Sequence, residues 1–99
     1  MDRPRLRIFP VMYVVVTYDV EQARVQKVCA FLRRYLSWVQ NSVFEGEITE
    51  GQYVEMLSGL RKIIRYEYDS IYVFQWPAEK LMRKQVLGQE RGRREWLLE

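Results

Sequence analysis

Asp19 closes an almost unbroken apolar run, Val11-Met12-Tyr13-Val14-Val15-Val16-Thr17-Tyr18. A carboxylate held at the end of a rigid strand is a hard oxygen ligand of the kind that Mg²⁺ or Mn²⁺ accepts, usually with several waters and a phosphate completing the shell. Such an ion polarises a phosphodiester and lowers the pKa of an attacking water. The same residue also stands three positions before Gln22, the spacing of a helix capping box, so a helix N-cap is the competing role. The chain has no histidine. That removes the commonest general base, the Ser-His and Cys-His nucleophile systems and any His-ligated zinc. Hydrolysis here would have to use carboxylates, a bound metal, Tyr or Lys. Tyr18, beside Asp19, either positions a phosphate or stacks on a base, or else packs inside the sheet, because strand residues alternate faces.

Arg24, Lys27, Arg33 and Arg34 form the best candidate for a phosphate-contacting surface, which would position a nucleic acid without reading its sequence. A solvated helix face is the plain alternative. Arg61, Lys62 and Arg65 read as ordinary surface, and Glu45 and Glu47 as acids without a catalytic role. The net charge of +3 permits nucleic-acid contact without demanding it. Much of that excess comes from Arg3, Arg5 and Arg7. Counted from Met12 the charge falls to +1 (13 basic minus 12 acidic), so the basic start carries no functional weight. The single cysteine, Cys29, excludes an internal disulfide and reads as a small buried hydrophobe.

These residues need elements to hold them. The run ending at Tyr18 suits a central strand buried on both faces. Val25, Val28, Cys29, Leu32, Tyr35 and Leu36 then recur at steps of three and four, one face of an amphipathic helix. Val39 to Glu47 alternates as a bent pair of short strands, in which Ser42 and Phe44 share one side. Thr49-Glu50-Gly51-Gln52 has the pattern of a capping box. It opens a second helix carrying Tyr53, Met56, Leu57, Leu60, Ile63 and Ile64. Ser70 to Gln75, after Asp69, reads as a strand stopped by Pro77. Beyond it, Glu79 to Gln85 is a candidate helix and Lys84 to Gly88 a short edge strand.

The order β, α, β(β), α, β predicts an α+β fold, a ferredoxin-like βαββαβ sandwich with two helices on one face of an antiparallel sheet. Its organisation is an extension over 1–11, a core over 12–76 and a strand-and-tail segment over 77–99 that contacts a partner. The other sheet face is left open and needs a cover. No stretch approaches the roughly 18 apolar residues of a membrane span, and the start lacks a signal-peptide pattern. A cytoplasmic protein without membrane contact is expected.

Two motifs give the sequence a family likeness. Tyr13-Val14-Val15-Val16-Thr17-Tyr18-Asp19-Val20 is a strand ending in Tyr-Asp, and Val39-Gln40-Asn41-Ser42-Val43-Phe44-Glu45-Gly46 follows one helix later. A basic helix separates them, and Asp69-Ser70-Ile71 opens the last core strand. Together they resemble the CRISPR-associated protein Two family over about residues 12 to 76. The resemblance implies a homodimeric, metal-dependent endonuclease acting on RNA or DNA, with Mg²⁺ (or Mn²⁺) shared between the two Asp19 carboxylates. It implies Ser42 and Phe44 as further site residues near the dimer cleft, Phe44 close to the substrate, beside the candidate Tyr18. It also implies a C-terminal strand exchanged between protomers, and a scaffold role that bridges integrase subunits (CRISPR-associated protein One) on duplex DNA. That scaffold can exist without catalysis. A toxin-like RNA interferase of related fold is a further alternative. A base-stacking RNA-recognition module is disfavoured, because Asp69 to Gln75 lacks the aromatic sequence it needs.

Overall fold

The computed structural model describes residues 11–78 and 85–91. Its elements are β1 (Val11–Asp19), α1 (Gln22–Leu32), β2 (Ser37–Gln40), β3 (Val43–Thr49), α2 (Glu50–Ile63) and β4 (Ser70–Pro77). The four strands form one sheet in the order β2-β3-β1-β4, every neighbouring pair antiparallel. This is the expected α+β, ferredoxin-like βαββαβ sandwich.

Alternation along β1 decides what the sheet buries. Val14, Val16 and Tyr18 point to one face and meet Val28 and Leu32 of α1, Met56 and Leu60 of α2, and Phe44 and Ile48 of β3. These residues make the core. The odd-numbered positions of β1 face the other way. Val11, Tyr13, Val15 and Thr17 are only half-buried there. The expectation that β1 is buried on both faces therefore does not hold within the single chain, because both helices lie on one side. Tyr72 and Phe74 of β4 share the open face and are 63% and 52% exposed. The Tyr13 and Trp76 rings sit 5.7 Å apart on it.

The helix starts follow different physics. Thr49 caps α2 in a complete capping box. Its Oγ1 accepts the Gln52 amide at 3.1 Å, and the Gln52 side chain accepts the Thr49 amide at 2.9 Å. At α1 the N-cap is Glu21, and its side chain makes no capping bond. Asp19 does not cap α1, because it still belongs to β1, with its Cα paired to Ser70. The helix also ends earlier than its periodicity suggests. Tyr35 and Leu36 lie in the following turn, both amides bonding to the Leu32 carbonyl, with Leu36 still buried.

The expected bent pair of strands is a tight hairpin. Its turn is Asn41-Ser42, and Asn41 takes a φ of 45°, a left-handed conformation that Asn tolerates better than most residues. The Trp38 indole N–H donates to the Asn41 carbonyl at 3.0 Å and fastens the turn. Of the candidate strand at Lys84 to Gly88, the described part, Gln85 to Gly88, is irregular, and Gly88 has a φ of 93°. The candidate helix from Glu79 lies outside the described residues up to its last position, as do Trp96, Leu97 and Leu98. Among the described residues no helix is long and apolar enough to cross a membrane.

Candidate active site

Asp19 is the last residue of the central strand, and its side chain is exposed. Its strand parity places it with Tyr13, Val15 and Thr17 on the open face. Among the described residues its carboxylate makes no hydrogen bond and no ion pair. The β2–β3 turn comes to the same end of the sheet, where the Tyr18 amide donates to the Ser42 carbonyl at 3.2 Å. Ser42 is thus in the turn and not on a strand, close to the end of β1. Asp19, Ser42 and Ser70 share this end of the sheet.

The remaining expected site residues are arranged otherwise. Tyr18 points to the helices and is 8% exposed, and its hydroxyl forms a 2.7 Å hydrogen bond with the Cys29 thiol. Burial, and then that bond, push its phenol well above the usual tyrosine range. It is a packing residue that fixes the backbone beside Asp19 and offers no hydroxyl to a phosphate. Phe44 is fully buried and stacks on Tyr18 with ring centroids 6.3 Å apart. Contact with a substrate is closed to it, because even-numbered residues of β3 face the helices.

Arg24 does not belong to an open phosphate-binding surface. Its Nε donates to Asp69 Oδ2 at 2.6 Å, and its Nη2 donates to Asp69 Oδ1 at 3.0 Å and to Glu21 Oε1 at 3.2 Å. Lys27, Arg33 and Arg34 remain exposed on α1 and the turn after it. The Arg34 guanidinium lies over the Phe31 and Tyr35 rings, at 5.3 and 5.9 Å from their centroids. The Arg33 guanidinium lies 5.9 Å from the Phe44 centroid and closes the core edge. The basic surface is therefore Lys27, Arg33 and Arg34, without Arg24.

The sequence reading missed the part played by Asp69. Its side chain is wholly inaccessible. Besides Arg24 it accepts the Glu21 amide at 3.0 Å and the Arg65 amide at 2.8 Å. The Arg24 guanidinium, and then the two amides, hold its carboxyl well below the usual carboxylate range against the opposing effect of burial. The available signal was weak: an acidic residue directly before a strand, with an arginine at the third position of a helix. On the open face, burial and the neighbouring Glu45 push the Tyr13 phenol up to about 12.

Asp19 is an oxygen donor suited to Mg²⁺ or Mn²⁺. Among the described residues no group of three or more His, Cys, Asp or Glu side chains could hold an ion.

A ferredoxin-like domain with an unengaged aspartate at the end of its central strand is the class this geometry defines. The chain belongs to the family of CRISPR associated protein Cas2, whose family model matches residues 12–84. The CRISPR-associated endoribonuclease Cas2 of Methanocaldococcus jannaschii is 42% identical over 81 residues, 82% of this chain and 71% of the relative. The CRISPR-associated endoribonuclease Cas2 3 of Thermodesulfovibrio yellowstonii is 48% identical over 79 residues, 80% of this chain and 90% of the relative. A crystal structure of Cas2 superposes with a TM-score of 0.74 at 40% identity, over 82% of this chain and 91% of that one. For Streptococcus pyogenes Cas2 at pH 6.5 the TM-score is 0.68 at 33% identity, over 77% and 99%.

Proposed function

We propose that this chain is a CRISPR adaptation protein and a metal-dependent endonuclease that cleaves RNA or DNA phosphodiesters as a homodimer. The observation that carries this reading is Asp19, exposed, without a partner among the described residues, and on the open sheet face. That face presents Tyr13, Tyr72, Phe74 and Trp76, a contiguous aromatic surface of the kind that marks an interface. A second copy laid on it two-fold would bring two Asp19 carboxylates to one place. The two carboxylates would then hold a single Mg²⁺ or Mn²⁺ together with water. When bound, the ion supplies Lewis-acid polarisation of the phosphate and a more acidic water. The chain's own share is to place the two carboxylates, to offer Lys27 and Arg34 to the phosphate backbone, and to cover the open face. The relatives' names support RNA as the first substrate to try.

A second reading keeps the dimer as a duplex-DNA scaffold for integrase subunits (CRISPR-associated protein One) without cleavage. It is favoured by the lack, among the described residues, of any group of three His, Cys, Asp or Glu side chains that could hold an ion.

The test is cleavage of single-stranded RNA and of duplex DNA, in Mg²⁺ or EDTA, by wild type and Asp19→Ala. Cutting that needs the metal and is lost in the variant supports the enzyme. Absent cutting with intact duplex binding leaves the scaffold. Equal cutting by both proteins removes Asp19 from the site. A monomeric mass in solution scattering at working concentration would end both the dimer and the shared ion.

A further inference from the structure

The Asp19 carboxylate has no hydrogen bond among the described residues, so its position depends on the backbone on either side. Before it, the β1 ladder is secure: Tyr18 N–H bonds to Ser42, and Asp19 pairs with Ser70. After it, only Val20 and Glu21 separate the strand from α1. The corner therefore needs an anchor, and the Glu21 amide finds one in the Asp69 carboxylate, 48 residues away in sequence.

Asp69 is itself held from three directions. The Arg65 amide fixes one oxygen from the start of the α2–β4 loop, and the Asp69 amide returns a bond to the Arg65 carbonyl at 2.8 Å. Arg24, in the first turn of α1, donates to both carboxylate oxygens. One inaccessible carboxylate thus joins the strand-to-helix corner, the first turn of α1 and the loop before β4. Buried ion pairs are weak evidence for stability, since packed apolar side chains often serve as well. An apolar replacement would leave the Glu21 and Arg65 amides unbonded and the corner free to shift.

We infer that Asp69, acting with Arg24, is a positioning residue that fixes the corner from which Asp19 is presented. The inference rests on the proposed role of Asp19, and its test separates the two. In the full-length chain, Asp69→Asn and Arg24→Gln are compared with Leu60→Ala, a core variant with no bond to the corner. Cleavage of single-stranded RNA is followed below each protein's melting temperature. The expected result is a fall in kcat of roughly 10- to 100-fold for Asp69→Asn, and less for Arg24→Gln, with KM nearly unchanged. Mn²⁺ affinity, read by water-proton relaxation, should weaken in parallel, while Leu60→Ala keeps both values. A rise in KM at constant kcat for Arg24→Gln would instead make Arg24 a phosphate contact and overturn the assignment. So would unchanged kcat and Mn²⁺ affinity in both variants.

If wild type neither cuts nor binds Mn²⁺, the role proposed for Asp19 fails. The inference is then read from amide hydrogen exchange alone. Exchange at Glu21 should rise at least ~10-fold in Asp69→Asn and in Arg24→Gln but not in Leu60→Ala. Equal rates in all four proteins would refute it. If Asp69→Asn does not fold, Arg24→Gln carries every arm, because it leaves both backbone bonds to Asp69 available.

Discussion

Asp19 ends β1 opposite Ser70, and Asp69 immediately precedes Ser70, so the two carboxylates lie one register step apart. The Asp19 carboxylate is exposed and makes no hydrogen bond or ion pair among the described residues. Asp69 is sealed from solvent and accepts four hydrogen bonds, from Glu21, Arg65 and twice from Arg24. Proximity therefore says little about what a carboxylate does. Strand parity turns Asp19 to the open face, away from the helices. The loop from α2 and the start of α1 fold over Asp69 and supply its donors. An acid with all its acceptor capacity engaged inside the protein serves the fold, and one with none engaged is left for an external cation.

The sharpest way to break the contrast is to neutralise each acid in turn. Asp19→Ala should lower cleavage on the order of 100-fold or more, since loss even of an outer-shell partner costs a metal site 10- to 100-fold. Its melting temperature should hardly move, as expected for a surface change. Asp69→Asn should reverse the emphasis, with a clear drop in melting temperature by differential scanning fluorimetry. An Asp19→Ala protein as destabilised as Asp69→Asn would refute the division of roles.

The same division has a pH signature. The Asp69 carboxyl is held below its unfolded value of about 3.9, so its contribution is complete above about pH 4 and lost as the pH falls toward the folded value. The stability gap between wild type and Asp69→Asn should therefore be constant from pH 5 to 7 and shrink below pH 4. A gap that widened on acidification would contradict the buried ion pair.

The two faces of the sheet extend the comparison. Met56→Ala, beneath the helix-covered face, should cost roughly 2–5 kcal/mol in chemical denaturation. Phe74→Ser, on the open face, should change monomer stability by no more than about 0.5 kcal/mol while weakening self-association in sedimentation. A large stability loss at fixed protein concentration in a demonstrably monomeric sample would mean that the open face is covered within one chain.

A smaller effect is expected where α1 and α2 touch. A Cβ on Gly59 would run into the Phe31 ring. Gly59→Ala should destabilise by about 1–3 kcal/mol through overpacking, less the helix-propensity gain of up to ~1 kcal/mol. Combining it with Phe31→Leu should recover part of the loss. Thr49→Ala should cost about 0.5–2 kcal/mol through the capping box alone. Neither change should alter cleavage by a folded protein.

The sequence by itself determined the elements whose causes are local. Thr49 and Gln52 are three residues apart, so their capping box was legible. The period of three and four through Val28, Leu32, Met56 and Leu60 was enough to mark two helices. The apolar run ending at Asp19 marked the central strand and its acid. Alternation also paired residues into faces, but it does not say which face the helices cover. That choice put Phe44 and Tyr18 inside and left Tyr13 and Phe74 outside. Tertiary structure alone decided which aspartate anchors the start of α1. Asp19 has the right spacing along the chain, yet strand pairing retains it in β1, and Asp69 reaches Glu21 only once β4 has docked beside β1. Arg24 was read as a phosphate ligand for the same reason: its true partner is 45 residues distant and no local pattern connects them. Local bonds are written in spacing, whereas the choice between a buried and an exposed charge depends on which distant segment comes to cover it.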